Sequence, residues 1–316
     1  MDSTKLRTGF TILFIALTGG IVTTYNQKIT KPIETEHKII VKTESISLPT
    51  EQYKSYQHII QQLNRWHQES PSNTEIGVYG KTTKGTSCNY FRIGAKNKPK
   101  VLIHSGLVGN EEFPVLMNMH IIHKLLTDYE TKSEIKYLLD NRDVYFVPVA
   151  SPDTYLKSNT IEDIDPMTSF PTYKKMNPQT SSATLALMQW AENQKFKAVL
   201  NNHAPGEKIL PPEICVNEDR EKIYKIINKM ISANGYLTSE TNKNESTGND
   251  TDWFYATGSC SIQMQWGKKS KQYISYSEVE PTLNRNYNSI LIFIKEAIDI
   301  NVSPKPLKAI YFYQVD

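Results

Sequence analysis

Lys98–Leu126, KPKVLIHSGLVGNEEFPVLMNMHIIHKLL, is the stretch on which the fold turns. Val101–Ile103 is an apolar run of buried-strand length. Gly106 and Gly109 mark a turn, and from Phe113 onward apolar residues recur as on a helix. Strand, glycine turn and helix form the repeating unit of an α/β sheet, in which ligands bind beyond the carboxyl ends of the strands. Glu111 stands at the start of the predicted helix, where a metal site would place a ligand. Three residues earlier, where a partner ligand would be expected, Val108 has no donor atom.

The same alternation continues on both sides. EQYKSYQHIIQQLNRWHQ (51–68) has helical spacing, and IGVYGKTTKGTSCNYFRIG (76–94) reads as two strands around a turn at Lys84-Gly85. RDVYFVPVAS (142–151) is a second buried strand ending at Ser151-Pro152-Asp153. SSATLALMQWAENQ (181–194) is a helix, and FKAVLNNHAPG (196–206) is a strand running into a glycine turn. EDREKIYKIINKMISANG (218–235) is a helix stopped by Gly235. SCSIQMQWG (259–267) is a strand and NRNYNSILIFIKEAIDI (284–300) a closing helix. The pattern predicts one α/β domain over 48–300, a three-layer sandwich with a mixed, largely parallel central sheet flanked by helices. Residues 301–316 form a tail whose AIYFYQV suits an added edge strand. The ligand rule selects the residues just after Ile103, Ala150, Asn202 and Gln265.

The 316 residues, 39% of them hydrophobic, suffice for one large core. A net charge of +3 with no Lys/Arg block excludes a nucleic-acid surface. Cys88, Cys215 and Cys260 are widely spaced, which excludes a cysteine-rich zinc site; one disulfide and three free thiols both fit. Near the N-terminus, Lys5 and Arg7 precede the uncharged segment Thr8–Gln27 around GFTILFIALTGGIV. Its length and positive flank predict a membrane anchor over 1–27, with 28–47 as a linker and the rest outside the cytoplasm. A cleaved signal peptide, and hence secretion, is the alternative; an A-x-A site is lacking.

Taken in order, five segments resemble the zinc carboxypeptidases of the carboxypeptidase A-like family. YGKTTKGTSCNYFRIGAKNKPKVLIHSGLVGNEE (79–112) is similar to that family's entry strands and its His-Gly-Asn-Glu loop. VPVASPDTY (147–155) resembles its Asn-Pro-Asp-Gly turn, and DIDPMTSFP (163–171) stands where it carries an Asn-Arg pair. FKAVLNNHAPG resembles the strand ending in its second zinc histidine. STGNDTDWFYATGSCSIQMQWG (246–267) resembles its Gly-Ser-x-Asp-Trp segment and the strand bearing its general base. The resemblance implies a zinc ion held by two histidines and one carboxylate, with a fourth position open to water. It also implies a glutamate that takes a proton from that water, and an Asn-Arg clamp on the substrate's C-terminal carboxylate.

Carried over residue by residue, the resemblance places metal ligands at Glu111 and His203, with Val108 at the third position. The clamp falls on Met167 and Thr168, and the general base on Gln265. The nearest match to the oxyanion arginine is Lys157, and the family's mobile tyrosine lies near Asn244. Zinc is therefore expected to be held weakly or not at all. Candidate rescuers of the metal site are His104, four residues before Val108, and Glu112. His120 and His123, three residues apart on a helix, read better as ordinary amphipathic histidines, and Lys174 and Lys175 as solvated lysines. The expectation is a membrane-anchored, extracytoplasmic carboxypeptidase-like domain that binds a peptide, such as a peptidoglycan stem peptide, without the usual peptidase chemistry. The alternatives are an active metallocarboxypeptidase with a rebuilt zinc site, and a scaffold whose cleft is filled.

Overall fold

The strand predicted from VLIH is β3, Lys100–His104, and it lies near the middle of a seven-stranded sheet of order β1-β2-β4-β3-β5-β7-β6. The structure is a computed structural model that describes residues 55–155, 168–172, 179–239, 248–268 and 276–304. The chain divides into Met1–Ile46 and Ser47–Asp316. The first unit, with the predicted anchor, lies outside the described residues, as does the predicted edge strand of the tail. Among the described residues no helix is long and apolar enough to cross a membrane.

β4 (Asp143–Val147), β3, β5 (Ala198–His203) and β7 (Cys260–Gln265) are parallel and form the centre of the sheet. β1 (Thr74–Lys81), β2 (Ser87–Gly94) and β6 (Lys208–Leu210) pair antiparallel. The central strands are buried on both faces, which is why they read as continuous apolar runs. Their alternate residues still part to opposite sides: Val101 and Ile103 join one hydrophobic cluster and Leu102 the other. The larger cluster packs α1 (Tyr56–Glu69), α2 (Glu112–Thr131), α3 (Ser133–Asp140), α5 (Asn217–Asn234) and α7 (Tyr276–Glu296) on one face. The smaller one packs α4 (Ser182–Gln194) and Trp253 and Phe254 of α6 (Asp250–Ala256) on the other. This is the expected three-layer sandwich.

Local chemistry accounts for the boundaries. Ser55 caps α1, its side chain accepting from His58 N, and Ile59, Leu63 and Trp66 form the buried stripe. The β1–β2 hairpin turns through Gly85 at φ 82°, as Lys84-Gly85 predicts. Gly235, at φ 70°, ends α5. Three elements escape the sequence reading. α6 and β6 are too short to show a period, and α3 follows α2 after the single residue Lys132. α7 begins at Tyr276, eight residues before Asn284, and accommodates Pro281 near its N-terminal end. Cys88, Cys215 and Cys260 are three separate buried thiols.

Candidate metal-site remnant

Tight backbone packing shapes the loop after β3. Gly106 adopts φ 60°, and a Cβ there would meet Pro148 O, Val149 Cα and the Val115 side chain at 3.0 Å. Ser151 N donates to Gly106 O, and a Cβ on Gly109 would lie 2.5 Å from Thr154 O. The loop is thus pinned against the turn after β4. Glu111 N donates to Val108 O at 3.1 Å, and Glu111 becomes the N-cap residue of α2. Its carboxylate makes no capping bond to the helix and turns instead toward the end of β5.

There it meets His203. Glu111 Oε2 lies 3.1 Å from His203 Nδ1, and Glu111 Oε1 accepts from Ala204 N at 3.1 Å. Two residues that are 92 apart in the chain converge at the carboxyl end of the sheet. On the opposite side of the ring, Nε2 donates to Asp250 Oδ2 at 2.9 Å. Asp250 opens α6 and is fully buried. Its Oδ2 is also 3.3 Å from His104 Nε2, and that nitrogen lies 2.8 Å from Asn201 Oδ1. Asn201 in turn donates to Ser261 Oγ and Ile262 O.

Charge follows from this geometry. An imidazole between two carboxylates needs positive charge, supplied by a second ring proton or by a cation beside Nδ1. Burial alone would push the His203 pKa down; Asp250, and then Glu111, more than reverse this and hold it well above the ordinary value. Burial would raise Asp250, but the charge and hydrogen bond of His203, helped by His104, bring it down to about 2. His104 is lowered, chiefly by burial.

The other predicted positions divide. Val108 is half-buried in the loop next to this cluster. Gln265 ends β7 directly across from His203 in the strand register. Its amide is overlain by the loop after β5, since a Cβ on Gly206 would lie 2.2 Å from Gln265 Oε1. Thr168 is exposed, close to the backbone of Gly248. Lys157, Met167, Lys174, Lys175 and Asn244 lie outside the described residues.

His104, expected as a candidate third ligand, instead commits its Nε2 to Asn201 and Asp250 in the interior. It ends a straight parallel strand, which fixes its direction. His123 stacks on Trp66 at 5.6 Å, an ordinary packing role. The residue missed by the sequence reading is Asp250. It stands in GNDTDW, two residues before the aspartate that the resemblance matches. At the first position of a seven-residue helix it looks like a first-turn acid and no more.

A zinc ion fits this cluster in part. Two ligand atoms each ~2.1 Å from a tetrahedral ion lie about 3.4 Å apart, and His203 Nδ1 and Glu111 Oε2 are separated by 3.1 Å. Asp250 supplies the outer carboxylate that metal-bound histidines usually have. The third ligand is the point of misfit. Val108 has no donor, and Asp250 lies on the far side of the ring, so it cannot face the same ion. Among the described residues no group of three or more His, Cys, Asp or Glu side chains is arranged to hold a metal ion. The donor set therefore fits two arms of the three-armed site that catalytic zinc takes.

Comparison with known proteins supports the same assignment. The family model described as zinc carboxypeptidase matches residues 59–169, a range that includes Glu111 and stops short of His203. A zinc carboxypeptidase of Simulium vittatum is 29% identical over 112 residues, 35% of this chain and 36% of that protein. One from Saccharothrix mutabilis subsp. capreolus is 26% identical over 106 residues, 32% of this chain and 24% of that protein. The matches thus span well under two thirds of these relatives' lengths. Bovine thrombin-activatable fibrinolysis inhibitor, solved with tick carboxypeptidase inhibitor, superposes with a TM-score of 0.69 at 15% identity, over 79% of this chain and 99% of that one. Carboxypeptidase A of Helicoverpa armigera does so at 0.65 and 16%, over 78% and 73%. At these identities the superpositions establish the fold. Residues 59–169 are thus similar to the zinc carboxypeptidases, and the superpositions show that the chain shares the carboxypeptidase fold.

Proposed function

We propose that the chain is a carboxypeptidase-like domain, acting outside the cytoplasm, whose cleft binds a peptide and which lacks the family's usual zinc peptidase activity. The observation that carries this reading is the pairing of His203 with Glu111 beside a loop whose third ligand position is Val108. Two further features support it. Gln265 stands at the strand end across from His203, and an amide cannot take a proton from water at useful pH. Met167 and Thr168 replace a pair whose arginine would grip a carboxylate through two parallel hydrogen bonds. A peptidoglycan stem peptide is a ligand of the right class for a domain behind a positively flanked apolar segment.

The 3.1 Å spacing of Glu111 and His203 favours a second reading, an active metallocarboxypeptidase with a rebuilt zinc site acting on peptide or peptidoglycan C-termini. One experiment separates the two: elemental analysis of the purified full chain together with an assay for release of C-terminal residues from peptides. The first reading expects well under one zinc per chain and no release. Stoichiometric zinc that is lost in His203→Ala, with release of C-terminal residues, would establish the second.

A further inference from the structure

We propose that a pocket at the rim of the cleft, walled by Glu207 and Arg285, binds an amino-acid-sized group that carries both an ammonium and a carboxylate. The proposal rests on reading the cleft as a peptide-binding site, and it names the part of the peptide that enters beside it. The pocket lies where the loops after β5 and β7 meet the first turns of α7, and its volume is about 290 Å³. Glu207 follows Gly206, the glycine packed on Gln265, and Gly267 comes two residues after Gln265. A ligand that leaves the cleft past Gln265 meets this pocket next. α7 contributes Glu278, Pro281, Thr282 and Arg285, spaced i, i+3, i+4 and i+7 on one face. Val279 and Leu283, on the other side of the same turns, are buried in the core.

Two opposite charges are held side by side at the pocket wall. Arg285 Nε donates to Asn234 O at 2.6 Å, and the guanidinium lies over the Tyr236 ring at 5.0 Å. Nη1 donates to Glu207 Oε1 at 3.1 Å and Nη2 reaches Gly235 O at 3.5 Å, so three of the five N–H donors are used and two remain. Glu207 Oε2 has no donor among the described residues. Glu207 is also one of three non-glycine residues in the left-handed region, at φ 47°, where a side chain is disfavoured. Leu237 N holds it there by donating to Glu207 O at 3.0 Å. The pair stays within reach of a ligand, with side chains 41% exposed at Arg285 and 27% at Glu207. Lys268 and Glu278 add one further charge of each sign. A ligand with a single charge would meet a like charge here, whereas one carrying both signs can pair each of its groups. The small volume suits one amino-acid-sized group.

The test is calorimetric titration of the purified full chain with acetyl-Ala-Ala-X-amide, blocked at both ends so that only X is charged. X is 2,6-diaminopimelate, whose side chain ends in an ammonium and a carboxylate, or lysine, which keeps the ammonium alone, or 2-aminopimelate, which keeps the carboxylate alone. The first peptide is expected to bind about tenfold more tightly than either of the others. Glu207→Gln should bring it down to the level of the 2-aminopimelate peptide. Thr282→Trp, which fills the pocket from a partly exposed helix position, should abolish the preference and serves if the loop variant does not fold. Equal affinities for the three peptides, or a preference that survives both variants, would overturn the proposal and leave the peptide-binding cleft standing. Binding of none of the three would overturn the peptide-binding reading, and free 2,6-diaminopimelate then decides the pocket. Its binding, abolished in Thr282→Trp, would assign the pocket to a free amino acid; its failure to bind would overturn the pocket as well.

Discussion

Gly206 and Gln265 are in such close contact that a Cβ added to the glycine would lie 2.2 Å from Gln265 Oε1 and 2.7 Å from Gln265 Cβ. Gly206 N also donates to Gly267 O at 2.8 Å, so the loop after β5 is tied to the end of β7 at this point. The residue type at 206 and the side chain at 265 therefore form one packing unit. Gly206→Ala is expected to destabilise the domain by about 1–3 kcal/mol through overpacking. Removing the end of the facing side chain should relieve part of that cost. Denaturant unfolding of Gly206→Ala, Gln265→Ala and the double variant should show favourable coupling; strict additivity would mean that the loop shifts freely.

Arg92 Nε and Asp143 Oδ1 form a buried ion pair at 2.5 Å between β2 and β4. Breaking such a pair on one side strands a charge in the interior. Asp143→Ala is expected to cost about 3–5 kcal/mol, and replacement of both by apolar residues of similar volume far less. Thermal or denaturant unfolding of Asp143→Ala beside Arg92→Met/Asp143→Leu checks this.

His120 gives the domain an acid-sensitive point away from the cleft. Burial, and secondarily the neighbouring His123, lowers its pKa from 6.5 to about 4. Its neutral form is thus favoured in the folded state. The corresponding stability is fully present above pH 6.5 and is lost as pH falls toward 4, at most about 3 kcal/mol. His120→Leu should flatten the stability profile between those limits. An unchanged profile would show that His120 charges as easily in the folded chain as in the unfolded one.

How far the site can be read from sequence depends on how local each signal is. Glu111 and His203 are legible because each follows a strand with an unambiguous apolar run, and the ends of parallel strands gather at one edge of the sheet. Asp250 is illegible for the converse reason. Its helix is seven residues long, and the partner that gives it meaning is 47 residues away. The direction of His104 is equally hidden. Its distance from Val108 along the chain says nothing of Asn201 and Asp250, which bind it from a neighbouring strand and a later helix. The central strands are plain in the sequence, since burial on both faces leaves them uniformly apolar, whereas β6 has three residues and no pattern to read.

Restoring the family's residues should separate metal binding from turnover. Val108→His with Gln265→Glu supplies the third ligand and the proton acceptor. The loop bearing residue 108 is pinned by Gly109 against Thr154 and by Glu111 N to Val108 O, so the new histidine starts from a fixed backbone. Zinc is expected to approach one per chain in this double variant, and His203→Ala should abolish it. A general base contributes about 10²–10⁴ in rate when the rest of a site is in place. On the proposed reading the rest is not in place, because the resemblance puts the carboxylate clamp at Met167 and Thr168, neither of which carries a cation. Release of C-terminal residues from peptides should therefore stay low, and adding Met167→Asn with Thr168→Arg should raise it further than it raises zinc content. Turnover in the first double variant matching that of the quadruple variant would show that another group of this chain holds the carboxylate.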